Sequence, residues 1–237
     1  MEVQTINNNH SSFDAMGNGV DTDSAMVAEK TLKRIHGFKN EQVERAYDDI
    51  ADQYDLMVKS MAYNGPIQTL MAILRTVPDR NAAILDVGCG TGLVGDVIYK
   101  SGYRNIFGLD VSAESLRVAD EKGTYRQTFQ ADICGNRPID VPDDHFDVLS
   151  STGCFLPGHL TGDCLPEMVR LTKSGGHIII TVREKEFEQE IGGMNLKSAI
   201  NKLTDMGVIK RKCHDRGFYI REKGEDIQGL TLVYYVV

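Results

Sequence analysis

The stretch "ILDVGCGTG" at residues 84–92 constrains the fold more than any other part of this 237-residue chain. Three apolar residues flank one carboxylate, Asp86, and glycine then takes every second position at Gly88, Gly90 and Gly92. A short apolar run bounded by turn residues reads as a buried strand. Glycine at its end permits a tight turn and lets a ligand approach the backbone closely. Strand, glycine turn and helix together open the nucleotide-binding units of parallel α/β sheets.

The chain around this stretch agrees with that architecture. Strand-like runs at 83–87, 106–109, 125–130, 146–150 and 177–182 alternate with helical patterns at 92–100, after Ser112, and at 163–171. Alternation of this kind implies βαβ units and a parallel sheet covered on both faces. After a helix near 195–206, two further strand-like runs, 208–220 and 230–237, flank a polar, glycine-containing stretch and suggest a terminal antiparallel pair at the sheet edge. Ahead of the sheet, residues 1–23 are rich in Asn, Ser, Asp and Gly and are expected to be a disordered tail. Helical signals begin near Ser24, one long amphipathic helix is expected over 41–59, and another over 66–75, ending before Pro78. The expected organisation is a single domain, 24–237, with a helical lid at 24–78 and a core at 79–237.

Composition narrows the function. Twenty-six basic against 34 acidic side chains give a formal charge of −8, which argues against nucleic-acid or anionic-membrane binding. No apolar run reaches the roughly 20 residues of a membrane span, and the first residues carry no secretory pattern. A cytoplasmic, monomeric protein with a small-molecule substrate is expected. The five cysteines are scattered with no C-x-x-C pair, so no metal site is expected.

The glycines separate one nucleotide ligand from another. A dinucleotide fingerprint needs G-x-G-x-x-G, whereas Leu93 stands at its third glycine and Gly92 comes one residue early. Asp86 sharpens the contrast, because a pyrophosphate would repel it and an ammonium group would compensate it. The second strand ends at Asp110, placed to accept hydrogen bonds from two ribose hydroxyls. Asp132 and Ile133 follow the third strand, where an adenine could take one polar contact and one apolar wall; Asp132 could equally cap its own turn. Ammonium, ribose and adenine in that order describe S-adenosylmethionine.

At this point the chain resembles the class I, Rossmann-like methyltransferases. The matching stretches are "ILDVGCGTG", "GLDVS", "QADI", "FDVLSSTGCF" and "LPEMVRLTKSGGHIIITVR". "AYDDIADQYD" and "TGCFLPGHL" are most similar to the methyltransferase-like proteins of the Williams–Beuren syndrome chromosomal region. The resemblance implies a mostly parallel seven-stranded sheet with a terminal antiparallel strand and N-terminal helices. It implies S-adenosyl-L-methionine as cofactor, held by Asp86, Gly88, Cys89, Gly90, Thr91, Gly92, Asp110, Val111, Ser112, Asp132, Ile133, Ser151 and Thr152. Tyr54 matches the place of a tyrosine that closes over the cofactor in similar enzymes, although Tyr47 and Tyr54 share a helical face and could be core residues.

Methyl transfer leaves the protein mainly to hold the acceptor in line and dry, because the cofactor carries the activation. The loop after the fourth strand, "STGCF", lacks the Asn/Asp-Pro-Pro-aromatic motif of enzymes that act on amino groups of bases or glutamine. His159 is the best available general base, since its ordinary pKa lies near neutrality; a loop histidine can also be structural. The expected function is methyl transfer to an unidentified acceptor, with protein methylation, or cofactor binding without catalysis, as alternatives.

Overall fold

The computed structural model describes residues 22–35, 41–135 and 138–237; the expected tail and the end of the first helix fall outside them. Four helices come first: α1 (Thr22–Ile35), α2 (Glu41–Asp48), α3 (Ala51–Ser60) and α4 (Gly65–Thr76). Strands and helices then alternate through β1 (Ile84–Val87), α5 (Leu93–Lys100), β2 (Ile106–Asp110), α6 (Ala113–Glu121), β3 (Gln127–Gln130), β4 (Phe146–Thr152), α7 (Leu165–Leu171) and β5 (Thr172–Arg183). The chain continues through α8 (Glu184–Gln189) and α9 (Leu196–Asp205) to β6 (Ile209–Glu222) and β7 (Glu225–Val236).

The seven strands form one sheet in the order β3-β2-β1-β4-β5-β7-β6. β1 to β5 are parallel, and β7 lies antiparallel to both β5 and β6. The order reverses direction beside β1, so the crevice for a ligand lies at the carboxyl ends of β1 and β4.

Two cores sandwich the sheet. Leu85, Val87, Leu149, Ile178 and Leu232 face one side and pack under Met168 of α7 and Leu196 and Ile200 of α9. Ile84, Val148, Ile179 and Val233 face the other and pack under Ile73 of α4 and Ile98 of α5. With both faces covered, every residue of β1 is buried, Asp86 included.

Three expectations change. The helix expected over 41–59 is two helices, α2 and α3, separated at Asp49 and Ile50. The Asp48 carboxylate ends α2 by accepting from the Ser112 hydroxyl and the Glu114 N–H of α6, whereas α3 turns away to pack Val58 with Ala28 of α1 and Tyr219 of β6. The last lid helix covers the sheet instead: Leu70, Ala72 and Ile73 of α4 belong to the second core. Finally, the polar stretch between the last two strands is itself paired, from Arg221↔Asp226 to Gly217↔Gly229. Only Lys223 and Gly224 form the turn, both at positive φ (50° and 77°), as a two-residue hairpin requires.

Candidate active site

The glycine turn hangs from the end of β2. Gly88 and Cys89 both donate their N–H to the Leu109 carbonyl, at 2.7 and 3.0 Å. Gly88 has φ +68°, and a Cβ there would lie 2.3 Å from the Cys154 Sγ, so the close approach of the loop after β4 requires glycine. Gly90 has φ +51°, and a Cβ there would meet nothing within 4 Å. Its outer face is open, as a backbone that receives a ligand must be.

Asp110 fastens this turn to α6. Its Oδ2 accepts from the Gly90 N–H at 2.7 Å and its Oδ1 from the Ser112 N–H at 2.9 Å. Burial pushes the carboxyl above its ordinary value, and these N–H groups oppose that shift. Each oxygen keeps a second lone pair, which is where two ribose hydroxyls could donate.

Asp86 is fully buried and already has two donors, the Tyr125 hydroxyl at 2.8 Å and the Ser150 hydroxyl at 3.0 Å. The sequence leaves its compensation to a ligand ammonium, whereas the structure supplies two neutral hydroxyls first. They do not offset desolvation, and the carboxyl is pushed up to about 7. Tyr125, whose hydroxyl also accepts from the Gly95 N–H, carried no sequence signal.

The remaining residues divide by what they touch. Cys89 is buried against β2, where a Cβ on Gly108 would come within 2.9 Å of its sulfur, and its thiol donates to the Gly90 carbonyl at 3.8 Å. The Thr91 hydroxyl is buried and donates to Asp55 Oδ1 at 2.5 Å. Ser112 caps α6, accepting from the Ser115 N–H, and Val111 accepts from Gln130 Nε2 through its carbonyl. Asp132 is exposed and its Oδ1 accepts from the Cys134 N–H, the capping arrangement, while Ile133 is buried in the core behind it. Ser151 Oγ is buried with no hydrogen-bond partner of good geometry among the described residues, the neighbouring Cys154 thiol excepted. Thr152 turns away, joining Thr69 and Thr181 in a chain of hydroxyls beneath α4.

Above the turn lie α2 and α3, held by three carboxylates that sequence reasoning passed over. Asp48 binds Ser112, Asp52 binds Arg117 at 2.5 Å, and Asp55 binds both Thr91 and Lys122, the latter at 2.6 Å. Their spacing of four and three residues on consecutive turns was the available signal. Tyr47 and Tyr54 meet edge-on with ring centroids 6.0 Å apart, and Tyr63 meets Tyr219 at 5.2 Å. Burial raises all four hydroxyl pKa values, so each remains protonated at neutral pH. Cys154 is pushed up to about 12 for the same reason and stays a thiol.

His159 sits in the loop after β4, half-buried, and touches Tyr47. Its Nδ1 lies 3.0 Å from the Pro157 carbonyl and its Nε2 lies 3.0 Å from the Tyr47 hydroxyl. A carbonyl only accepts, so Nδ1 carries the proton and Nε2 accepts from Tyr47. Burial holds the imidazole below its ordinary pKa, hence neutral.

An open glycine backbone, a carboxylate with free lone pairs beside it, a buried hydroxyl with only a thiol beside it and a buried carboxyl together fit a cationic adenosyl ligand. With the sheet order, they suit a Rossmann-like crevice for such a ligand. A family described as a methyltransferase domain matches residues 85–180. Human methyltransferase-like protein 27 is 31% identical over 155 residues, covering 64% of this chain and 62% of that protein. A demethylmenaquinone methyltransferase of Anoxybacillus flavithermus is 27% identical, covering 81% of this chain and 83% of its own. The chain spans less than two thirds of the human protein, and 38% of a bifunctional biotin-biosynthesis protein of Saccharophagus degradans that it also matches. Among solved structures, the [4+2]-cyclase SpnF shares the fold with TM-score 0.62 at 17% identity, covering 84% of this chain and 97% of its own. A chain of the complex between the Haloferax volcanii Trm112 activator and a putative methyltransferase gives 0.63 at 16%, covering 82% and 97%. Over residues 85–180 the chain is similar to the methyltransferase domain family, and over 155 residues to the human methyltransferase-like protein.

Proposed function

We propose that the protein transfers a methyl group from S-adenosylmethionine to a small molecule enclosed beneath α2 and α3. Asp110 would hold the ribose hydroxyls, Val111 and Ser112 would flank them, and Asp132 and Ile133 would border the adenine. The backbone of residues 88–92 would run along the methionine arm, with Asp86 below its ammonium group and Ser151 beside it. Bound there, the cofactor supplies a methyl group already activated on a sulfonium.

The protein's own task is to align the acceptor and exclude water. The observation that carries the small-molecule reading is the cover itself. Asp48, Asp52 and Asp55 fasten α2 and α3 across the glycine turn and α6, and Tyr47 and Tyr54 lie beneath. A surface closed by a helical cover favours an acceptor that fits under it.

Titration calorimetry with S-adenosylmethionine and S-adenosylhomocysteine tests the cofactor, and transfer of a labelled methyl group into a fractionated cell extract tests the acceptor. Micromolar binding and label in the small-molecule fraction are expected. Label confined to protein overturns the acceptor class, and absence of binding by a folded sample overturns the whole reading.

A further inference from the structure

Resting on that reading, we propose that Tyr47 and His159 form a proton relay, which makes the acceptor a planar hydroxylated molecule, a phenol or enol. Sequence alone marks His159 as the base, yet its accepting nitrogen points at another protein group. Nδ1–H is committed to the Pro157 carbonyl, and the Nε2 lone pair receives the Tyr47 hydroxyl at 3.0 Å. A neutral imidazole with its lone pair on a tyrosine hydroxyl is the arrangement that lets the tyrosine oxygen accept one proton while giving up its own.

Tyr47 is placed to meet an acceptor. Its ring packs edge-on against Tyr54 of α3, with centroids 6.0 Å apart, and against the His159 ring in the loop after β4, at 5.5 Å. The residue as a whole is half-buried. At the start of that loop, a Cβ on Gly153 would lie 2.6 Å from the Tyr63 hydroxyl and 3.0 Å from that of Tyr219. Aromatic faces from α2, α3, β6 and the loop before α4 thus converge at the end of β4, a setting suited to a flat ring.

The relay selects among acceptors by their need for a base. A neutral amine attacks before it loses its proton, and a carboxylate is already ionised. A phenol or enol is weakly nucleophilic until its proton leaves. The acceptor O–H proton passes to Tyr47 Oη as the Tyr47 proton passes to His159 Nε2. The acceptor oxygen forms the bond to the methyl carbon as the carbon–sulfur bond breaks, and that electron pair returns to sulfur as a neutral thioether. His159 is left as imidazolium and releases its proton to solvent. Tyr47 is the residue in contact with the acceptor; His159 acts through it.

Two measurements on the full chain test this. In histidine-¹⁵N-labelled protein saturated with S-adenosylhomocysteine, His159 should titrate below the ordinary histidine value as the Nδ1–H tautomer, and Tyr47→Phe should raise its pKa. An Nε2–H tautomer, or no shift in Y47F, overturns the relay. In the second, labelled S-adenosylmethionine is offered with 2-naphthol and with 2-naphthylamine. The phenol should be methylated in preference. Y47F and H159Q should each slow that transfer by at least about tenfold at pH 7, with the gap closing at pH 9.5 as the phenol ionises unaided. S-adenosylhomocysteine affinity should stay within about twofold. Preference for the amine, or no turnover of the phenol by cofactor-binding protein, overturns the acceptor class. Failure to bind cofactor at all would instead sink the methyltransferase reading.

Discussion

Replacing Asp86 with Asn should stabilise the protein in alkaline solution while impairing cofactor binding. The carboxyl moves from 3.8 in an unstructured chain to about 7 in the fold, because burial outweighs the Tyr125 and Ser150 hydrogen bonds. The folded state therefore binds more protons than the unfolded one between those values. Stability falls as pH rises through the window, and the full penalty is present above pH 7. At about 1.4 kcal/mol per pKa unit, the ionised carboxylate costs roughly 4 kcal/mol, a large part of an ordinary domain's stability. Asn fills the same volume and can accept from one hydroxyl while donating to the other. Urea unfolding of wild type and Asp86→Asn should give similar stabilities near pH 4 and a mutant advantage approaching that figure at pH 8.5. His159, His177 and His214, whose pKa values are lowered by burial, give the opposite slope in both proteins, so the difference isolates Asp86. On the proposed placement of the ammonium group above Asp86, the same variant should bind S-adenosylhomocysteine more weakly at pH 8. Parallel stability profiles in the two proteins would refute the reasoning.

Asp110→Ala should weaken S-adenosylhomocysteine binding at least tenfold by calorimetry, since each charge-assisted hydrogen bond to ribose is worth roughly 1.5–3 kcal/mol. It should also loosen the glycine turn through loss of the Gly90 and Ser112 N–H contacts. Gly88→Ala should cost about 1–3 kcal/mol of unfolding free energy from overpacking against Cys154. Part of that cost should return in the Gly88→Ala, Cys154→Ala double variant. Amide exchange around residues 49–55 should slow when S-adenosylhomocysteine binds; unchanged protection would place Tyr47 and Tyr54 in the static core and remove the lid.

The sequence by itself determined the sheet and the place of the glycine turn on it. Periodicity and glycine punctuation are local signals, and they located four of the five parallel strands within two residues at each end, whereas β5 begins at Thr172, five residues before the expected run. The Gly88–Gly92 turn and the strand-end Asp110 were legible because close backbone approach and ribose recognition need those residue types at that spacing. Tertiary structure decided whatever depends on contacts between distant segments. Nothing local marks Tyr125 as the donor to Asp86, 39 residues away, or brings Tyr47 to His159 across 112 residues. The break between α2 and α3 escaped periodicity because Asp48 ends the helix by bonding α6, a partner invisible along the chain. α4 read as a cover and became part of the sheet's own core, because an amphipathic helix records that it has a buried face and not which surface buries it.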